Sequence, residues 1–259
     1  MYLNYIIGPA GSGKSTLTKE IYEYITSYND QLDVITLNLD PGVKRLPYNP
    51  DIDVRDYVDI DKIMKEEGFG PNGAMIEATE RLKDVLDEIK YEIDQFNSPD
   101  FVLIDTPGQM ELFAFRPTGS FVASSLGFAG VKKGLTFLFD PMMCKKPSGF
   151  ISTALLAASI QFRFVDIPQV NLLTKCDLID EDLVQRITEW SSDPNMLEDD
   201  ILLYEKGMVK EMNVMISRVL PELTAMSEMI PVSSFNHSGI DEYFALIQRM
   251  AQSEDSQFT

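Results

Sequence analysis

Residues 8–15 read GPAGSGKS and constrain the fold more than any other segment, because they match the pattern GxxxxGK[ST] between an apolar strand and an amphipathic helix. Glycines in such a loop let backbone N–H groups converge on phosphate oxygens at the start of a helix, where the helix dipole favours negative charge. The sequence therefore predicts a phosphate site formed by Gly11, Ser12, Gly13, Lys14, Ser15 and Thr16.

Two side chains of this loop have predicted roles. Lys14 is expected to neutralise the β and γ phosphates of a nucleotide, and the Ser15 hydroxyl is expected to ligate Mg²⁺. The alternative is a glycine-rich turn with an exposed lysine. The strand before the loop and the helix after it favour the phosphate site.

Short β-branched runs bounded by turn residues alternate with amphipathic stretches along the chain, which indicates βαβ units. Most of these runs are apolar throughout, as is typical of parallel strands covered on both faces. We predict an α/β fold with a doubly wound, mostly parallel sheet. The predicted strands cover residues 3–7, 34–38, 101–104, 135–139, 170–173 and 230–232.

Apolar residues at helical spacing predict helices between these strands. One follows the first loop, and a longer amphipathic helix covers residues 75–93. A third helical region spans about 181–220 and is interrupted near 191–195. Because that region is longer than a simple crossover, we predict a single domain over 1–259 with a helical insertion at about 181–228.

Composition and charge limit the classes of partner and site that this chain can have. The 259 residues are 44% hydrophobic, which is enough for a core, and carry a net charge of −19. That charge repels phosphate backbones and anionic lipid headgroups, so we expect no direct nucleic-acid or membrane partner. No apolar stretch reaches the roughly 20 residues of a membrane-spanning helix. Cys144 and Cys176 predict neither a disulfide framework nor a zinc site, and a cytoplasmic protein is expected.

A second motif, DTPGQ, follows the apolar run at 101–104. Asp105 ends a strand predicted to neighbour the phosphate loop, where it can hold Mg²⁺ through water, and the Gly108 N–H can contact the γ-phosphate. Gln109 is placed to orient an attacking water. Glu111 is a second candidate for that polar network, with a solvated surface acid as the alternative. A strand-end Asp is often only a helix cap, but the pairing with the loop at 8–15 favours the phosphate site.

A third motif, TKCD, follows the run at 170–173. The Asp177 carboxylate can accept hydrogen bonds from N1–H and the 2-amino group of guanine, a pair that adenine does not offer. The Lys175 stem is expected to cover the base and ribose. Thr174 stands where the common GTPase motif has Asn, which weakens the expected base selectivity. Ser233 and Ser234, after the last strand, are predicted to contact the guanine oxygen through backbone N–H groups.

Asp40 closes the run at 34–38 and begins the sequence DPGV. An acid at that strand end can position water or Mg²⁺ opposite the γ-phosphate, and the alternative is a turn-forming Asp before proline. Five aspartates at 51–61 have a spacing that suggests Ca²⁺ chelation. Since the segment lacks the glycine and final glutamate of an EF-hand loop, helix capping is the preferred interpretation.

Taken together, these motifs make the chain resemble the GPN-loop GTPases, and they extend from one end of the sequence to the other. The matching segments are GPAGSGKST at 8–16, LDP at 39–41, LPY at 46–48, PDID at 50–53, GPNGA at 70–74, DTPGQ at 105–109, TKCD at 174–177 and SSFN at 233–236. One departure is Gly42, where relatives commonly have Ala.

The resemblance implies a P-loop NTPase fold and a homodimer whose two nucleotide sites lie near the subunit interface. Asn72 is then expected to enter the partner's site and contact the γ-phosphate and the attacking water. MinD-type ATPases carry an extra lysine in the phosphate loop, where this chain has Pro9 and Ala10. An amide from the partner is then expected to take the role of that lysine. The absence of a long acidic tail resembles the archaeal homodimeric type. Eukaryotic relatives assist RNA polymerase assembly, so polymerase subunits are the implied protein partners.

We therefore predict a Mg²⁺-dependent GTP hydrolase that acts as a dimeric switch and binds GTP and GDP. The expected catalytic residues are Lys14, Asp40, Asn72, Gln109 and Glu111, with Ser15, Asp40 and Asp105 at the metal. Two alternatives stay open. One is a GTP-binding assembly factor with negligible turnover. The other is a P-loop small-molecule kinase, which is disfavoured because no arginine-rich lid segment is present.

Overall fold

A computed structural model of the chain describes residues 1–127, 130–223 and 229–252. Its centre is a parallel sheet in the order β3-β2-β4-β1-β5-β6-β7. The strands are β1 (Tyr2–Ile7), β2 (Val34–Asn38), β3 (Ile52–Asp53), β4 (Phe101–Asp105), β5 (Lys132–Phe139), β6 (Gln169–Leu173) and β7 (Ile230–Pro231). The predicted α/β class and parallel sheet are confirmed, and the short strand β3 was missed.

The α-helices lie on both faces of this sheet. They are α1 (Lys14–Tyr28), α2 (Ile60–Glu66), α3 (Pro71–Glu80), α4 (Leu86–Gln95), α5 (Met110–Ala114), α6 (Pro117–Ser125), α7 (Pro147–Gln161), α8 (Glu181–Ser192), α9 (Pro194–Tyr204), α10 (Gly207–Leu223) and α11 (Ile240–Gln252). In the described ranges, no helix is long and apolar enough to cross a membrane.

The single helix predicted over residues 75–93 is wrong, because the chain breaks there into α3, a 3₁₀ turn at Arg81–Lys83, and α4. Tertiary contacts hold the break: Glu80 accepts hydrogen bonds from Arg116 and Thr118, and Arg81 is paired with two glutamates. Apolar spacing persists through a 3₁₀ turn, because its i, i+3 neighbours lie on one side, so periodicity does not reveal the break.

Between β6 and β7 the described residues form three α-helices, α8, α9 and α10. The sequence predicted one interruption of this region, near 191–195. The structure has that one at Asp193, whose side chain caps α9, and a second between Tyr204 and Gly207. Gly207 has a φ of +61°, a left-handed conformation that glycine adopts readily.

The sheet divides the interior into two apolar clusters. Helices α1 and α11 cover one face, where Leu17, Ile21 and Ile247 are buried. The remaining helices supply most of the larger cluster on the other face. Because the strands are parallel, their carboxyl ends share one edge, and the loops after β1, β2, β4, β5 and β6 meet there.

A buried polar triad joins α11 to the sheet. The Tyr243 hydroxyl accepts a 2.7 Å hydrogen bond from Asn4 Nδ2 and lies 2.9 Å from Thr136 Oγ1, which donates to Asn4 Oδ1 at 2.9 Å. All three residues are fully buried. Each polar atom therefore depends on the other two for its partners.

We expect Tyr243→Phe to lower the free energy of unfolding by about 1–3 kcal/mol, because it leaves buried donors and acceptors unpaired. Urea unfolding followed by circular dichroism measures this change. Tyr28→Phe is the matched control, since Tyr28 is exposed and its ring is retained. Equal unfolding midpoints for the two variants would contradict the assigned role of the triad.

Candidate nucleotide site

The loop between β1 and α1 has the backbone that phosphate binding requires. Gly11 and Gly13 have φ values of +76° and +100°, left-handed conformations that other residues rarely adopt. Ser12 is fully buried, and its hydroxyl has no hydrogen-bond partner among the described residues. An orphaned buried hydroxyl in a loop that opens a helix suits a bound anion.

Lys14 lies inside the site, with only 5% of its surface exposed. Its Nζ donates to the carbonyls of Gly8 at 2.9 Å, Pro9 at 3.1 Å and Gly108 at 3.4 Å. Burial lowers the pKa of Lys14, and nearby carboxylates, first that of Asp105, oppose this. The alternative of an exposed lysine in a plain turn is therefore excluded.

Ser15 and Asp105 lie together at the edge between β1 and β4. Asp105 is 1% exposed, and its Oδ1 has no hydrogen-bond partner among the described residues. Burial raises the pKa of Asp105 to about 6, while the Ser15 hydroxyl and Lys14 act in the opposite direction. A buried carboxylate with a free oxygen beside a hydroxyl is a donor set that Mg²⁺ accepts, so these residues fit the metal.

Asp40 lies at the same edge but is engaged with backbone. Its Oδ2 accepts from the Gly108 N–H at 2.7 Å, and its Oδ1 accepts from the Gly42 N–H at 2.9 Å. The turn-forming role and the site role thus coexist in one side chain. In this conformation, Asp40 occupies the Gly108 N–H that the sequence assigned to the γ-phosphate.

Gln109 and Glu111 follow on the surface beside the phosphate loop. Both are exposed, and the backbone of Gln109 begins helix α5. Glu111 is close enough to Lys14 to raise its pKa. Thr106, between them and Asp105, donates to the Ile6 carbonyl at 2.7 Å and fixes the start of the segment to β1.

The motif at 174–177 joins the phosphate loop through two side chains. Thr174 Oγ1 donates to the carbonyls of Ser12, at 2.9 Å, and Phe139, at 3.1 Å. Lys175 Nζ donates to the Gly11 carbonyl, and the backbone of Lys175 is left-handed, with φ 53° and ψ 37°. Thr174 therefore connects two loops, and Lys175 extends along the phosphate loop. Thr16, by contrast, is exposed on α1.

Asp177 is held by the loop that follows β7. Ser233 Oγ donates to Asp177 Oδ1 at 2.5 Å. The Ser233 N–H donates to the Ser238 carbonyl at 3.0 Å, so in this conformation it is engaged within its own loop. Ser234 is partly exposed next to it. His237, in the same loop, contacts Glu20 on α1, which ties the loop to the first helix.

Asn72 is positioned by the start of helix α3. It is exposed at the first turn of α3, and its side chain makes no hydrogen bond among the described residues. The helix behind it packs on the loop after Asp40, because a Cβ added at Gly42 would lie 1.9 Å from Met75 Cε. The glycine at position 42 thus makes room for Met75.

Three of the five aspartates at 51–61 accept hydrogen bonds from backbone N–H groups. Asp51 accepts from the Thr36 N–H, Asp53 caps the turn Val54–Asp56, and Asp59 caps α2. No metal-binding group of three acidic, histidine or cysteine side chains occurs among the described residues. These contacts support the capping interpretation over Ca²⁺ chelation.

Two residues of the site have roles that sequence reasoning missed. Tyr48 donates to Asp105 Oδ2 at 3.2 Å, and nothing in the spacing of residues 48 and 105 indicates this contact. Asp140 follows β5 and pairs with Lys175 Nζ at 2.8 Å. An acid directly after an apolar strand is the signal that identified Asp105, and it could have found Asp140 as well.

Comparisons with known proteins agree with this geometry. A family described as "conserved hypothetical ATP binding protein" matches residues 6–253. The GPN-loop GTPase of Pyrococcus abyssi is 37% identical over 85% of this chain and 87% of its own length. GPN-loop GTPase 1 of Dictyostelium discoideum is 30% identical over 95% of this chain, and the match spans 61% of that longer protein. A solved structure of a Pyrococcus abyssi GTPase in apo form superposes with a TM-score of 0.84, with 31% identity and 98% coverage of both chains.

The parallel sheet, the loop at 8–15 and the strand-end acids define a P-loop nucleoside triphosphatase. More narrowly, the chain belongs to the GPN-loop GTPases, and GTP hydrolysis is its activity.

We expect Asp177→Asn to weaken GTP binding by about 100-fold and to improve XTP binding, because an amide can donate to the second carbonyl of xanthine. Competition against a fluorescent GDP analogue measures both affinities. Asp180→Asn is the matched control: Asp180 caps α8 nearby, and Asn also caps helices well. Unchanged GTP affinity in Asp177→Asn would remove Asp177 from the base site.

Proposed function

We propose that this chain is a Mg²⁺-dependent, homodimeric GTPase switch in which Asn72 of each subunit completes the partner's site. The observation that carries the proposal is the placement of Asn72. It is an exposed amide without a partner in its own described chain, on a helix packed against the loop that holds Asp40.

We assign the metal to Ser15 and Asp105. Asp40 lies at the same edge of the sheet. When bound, Mg²⁺ supplies positive charge to the β and γ phosphates. Lys14 supplies a second positive charge, and the backbone N–H groups of the loop surround the anion. A protein with a net charge of −19 needs these local positive charges to hold a triphosphate.

Asp40 gives the switch a physical basis. A γ-phosphate that takes the Gly108 N–H must displace the Asp40 carboxylate, because two anions do not share one donor. The freed Asp40 is then available to position water or metal. Since Met75 packs on the loop two residues further, a shift of Asp40 is transmitted to α3 and Asn72.

Hydrolysis is then in-line attack by water on the γ-phosphorus. Chemistry of this type depends on positioning and electrostatics more than on a protein nucleophile. Gln109 and Glu111 are exposed and follow Gly108 in the same subunit, so both are candidates for orienting water. Asn72 of the partner is the third candidate. Asp177 selects guanine, which favours GTP over the ATP named in the family description.

The dimeric assignment and the polymerase-subunit partner remain predictions from the family resemblance. A GTP-binding assembly factor with negligible turnover is the competing function, and the naming of its relatives as GTPases disfavours it.

We expect Asn72→Ala to lower phosphate release from GTP by about 10²-fold, the loss typical of one donor aimed at a developing charge. Release is measured for GTP and ATP with and without Mg²⁺. GTP-selective, Mg²⁺-dependent release is expected in the wild type. Asn195→Ala is the matched control, since Asn195 is exposed and follows the first-turn proline of α9, as Asn72 follows that of α3.

Subunit mixing tests whether Asn72 acts in trans. Lys14→Ala chains have a defective loop but retain Asn72, so mixing them with Asn72→Ala chains pairs an intact loop with an intact Asn72. Recovery of activity is the expected result. Mixtures no more active than the separate variants would exclude the trans arrangement. Turnover of Asn72→Ala within a few-fold of wild type would contradict a catalytic role for Asn72.

A further inference from the structure

Asp140 is a buried carboxylate that the proposed mechanism does not use. It follows β5, the strand between the phosphate-loop strand β1 and the base strand β6. It is 9% exposed, and it lies between the phosphate loop and the base-reading motif at 174–177.

The turn after β5 orients this carboxylate. Asp140 Oδ1 accepts from the Met142 N–H at 2.8 Å, and the Asp140 carbonyl accepts from the N–H groups of Met143 and Cys144. With one oxygen fixed by the turn, Oδ2 is directed to Lys175 Nζ, 2.8 Å away. The ion pair is partly shielded, since the Lys175 side chain is 30% exposed and that of Asp140 is 13% exposed.

Lys175 therefore has two anchors on different loops. Its Nζ donates to the Gly11 carbonyl as well as to Asp140, and its Cε lies 3.8 Å from the position a Cβ would take at Gly13. A lysine stem normally loses rotamer freedom when it packs on a ligand. Because Lys175 is already held by two partners, its side chain loses less rotamer freedom when the ligand binds. The ligand therefore binds more tightly.

We propose that Asp140 is a positioning residue that holds Lys175 extended over the nucleoside end of the site, and so sets the affinity for the guanosine part of the nucleotide. The inference rests on the proposed role of Lys175 as the cover of the base and ribose. Asp140 does not touch the reacting atoms in this arrangement, so the rate of phosphate transfer does not depend on it.

The test is Asp140→Asn, because Asn retains an acceptor for the Met142 N–H but loses the charge that pairs with Lys175. We expect affinity for GDP to fall about five- to tenfold, the range of a half-buried charge-assisted hydrogen bond. The kcat at saturating GTP stays within about twofold. Affinity for tripolyphosphate, which has no base, also stays within about twofold, since its site is the phosphate loop.

A double-mutant cycle with Lys175→Met separates positioning from a structural role. In the Lys175→Met background, we expect Asp140→Asn to change GDP affinity by less than about twofold, because the partner it acts through is gone. Asp30→Asn, an exposed charge loss in the loop before β2, is the control in both backgrounds. If Asp140→Asn does not fold, Asp140→Ser, which also retains an acceptor, enters the same cycle.

The outcomes distinguish this inference from the proposed base site. If Lys175→Met itself leaves GDP affinity unchanged, the assignment of Lys175 to the base fails, and this inference fails with it. If Lys175→Met weakens GDP binding but Asp140→Asn does not, only the role of Asp140 is overturned. Additive effects, or an equal loss of tripolyphosphate affinity, would mean that Asp140 merely supports the loop, which also overturns it.

Discussion

The buried ammonium group of Lys14 is the constraint on which the rest of the site depends. Its hydrogen bonds go to carbonyls of the phosphate loop and of Gly108, so one cation holds two loops from neighbouring strands. Carbonyls are neutral, and burying a charge among them is costly unless anions lie nearby. Asp105 and Asp40 supply part of that charge, and the phosphates of a nucleotide supply the rest.

The two ends of the nucleotide site share the same backbone. Thr174 and Lys175, from the base end, donate to the carbonyls of Ser12 and Gly11, so the phosphate loop is braced from both sides. The left-handed glycines make this approach feasible, because a side chain at either position would be strained. Any ligand that reshapes the loop therefore affects the base-reading segment as well.

Much of the site was predictable because parallel strands end at one edge of a sheet. Asp105, Asp177 and Lys14 were all found from an apolar run followed by a short polar motif. The same signal follows β5 at Asp140, but its meaning depends on the neighbouring strand β6, which adjacent sequence does not reveal. Periodicity failed at residues 81–85 for a related reason, since the contacts that end α3 come from Arg116 and Thr118.

By itself, the sequence determined the phosphate loop, the parallel α/β class and the family, because loop torsions, apolar runs and motif order are local properties that neighbouring residues encode. Only the tertiary structure decided which groups pair across loops. Asp40 meets the Gly108 N–H, 68 residues away, and Lys175 meets Asp140, 35 residues away. Such contacts depend on strand order and on how loops cross the sheet edge, and a one-dimensional pattern does not specify either.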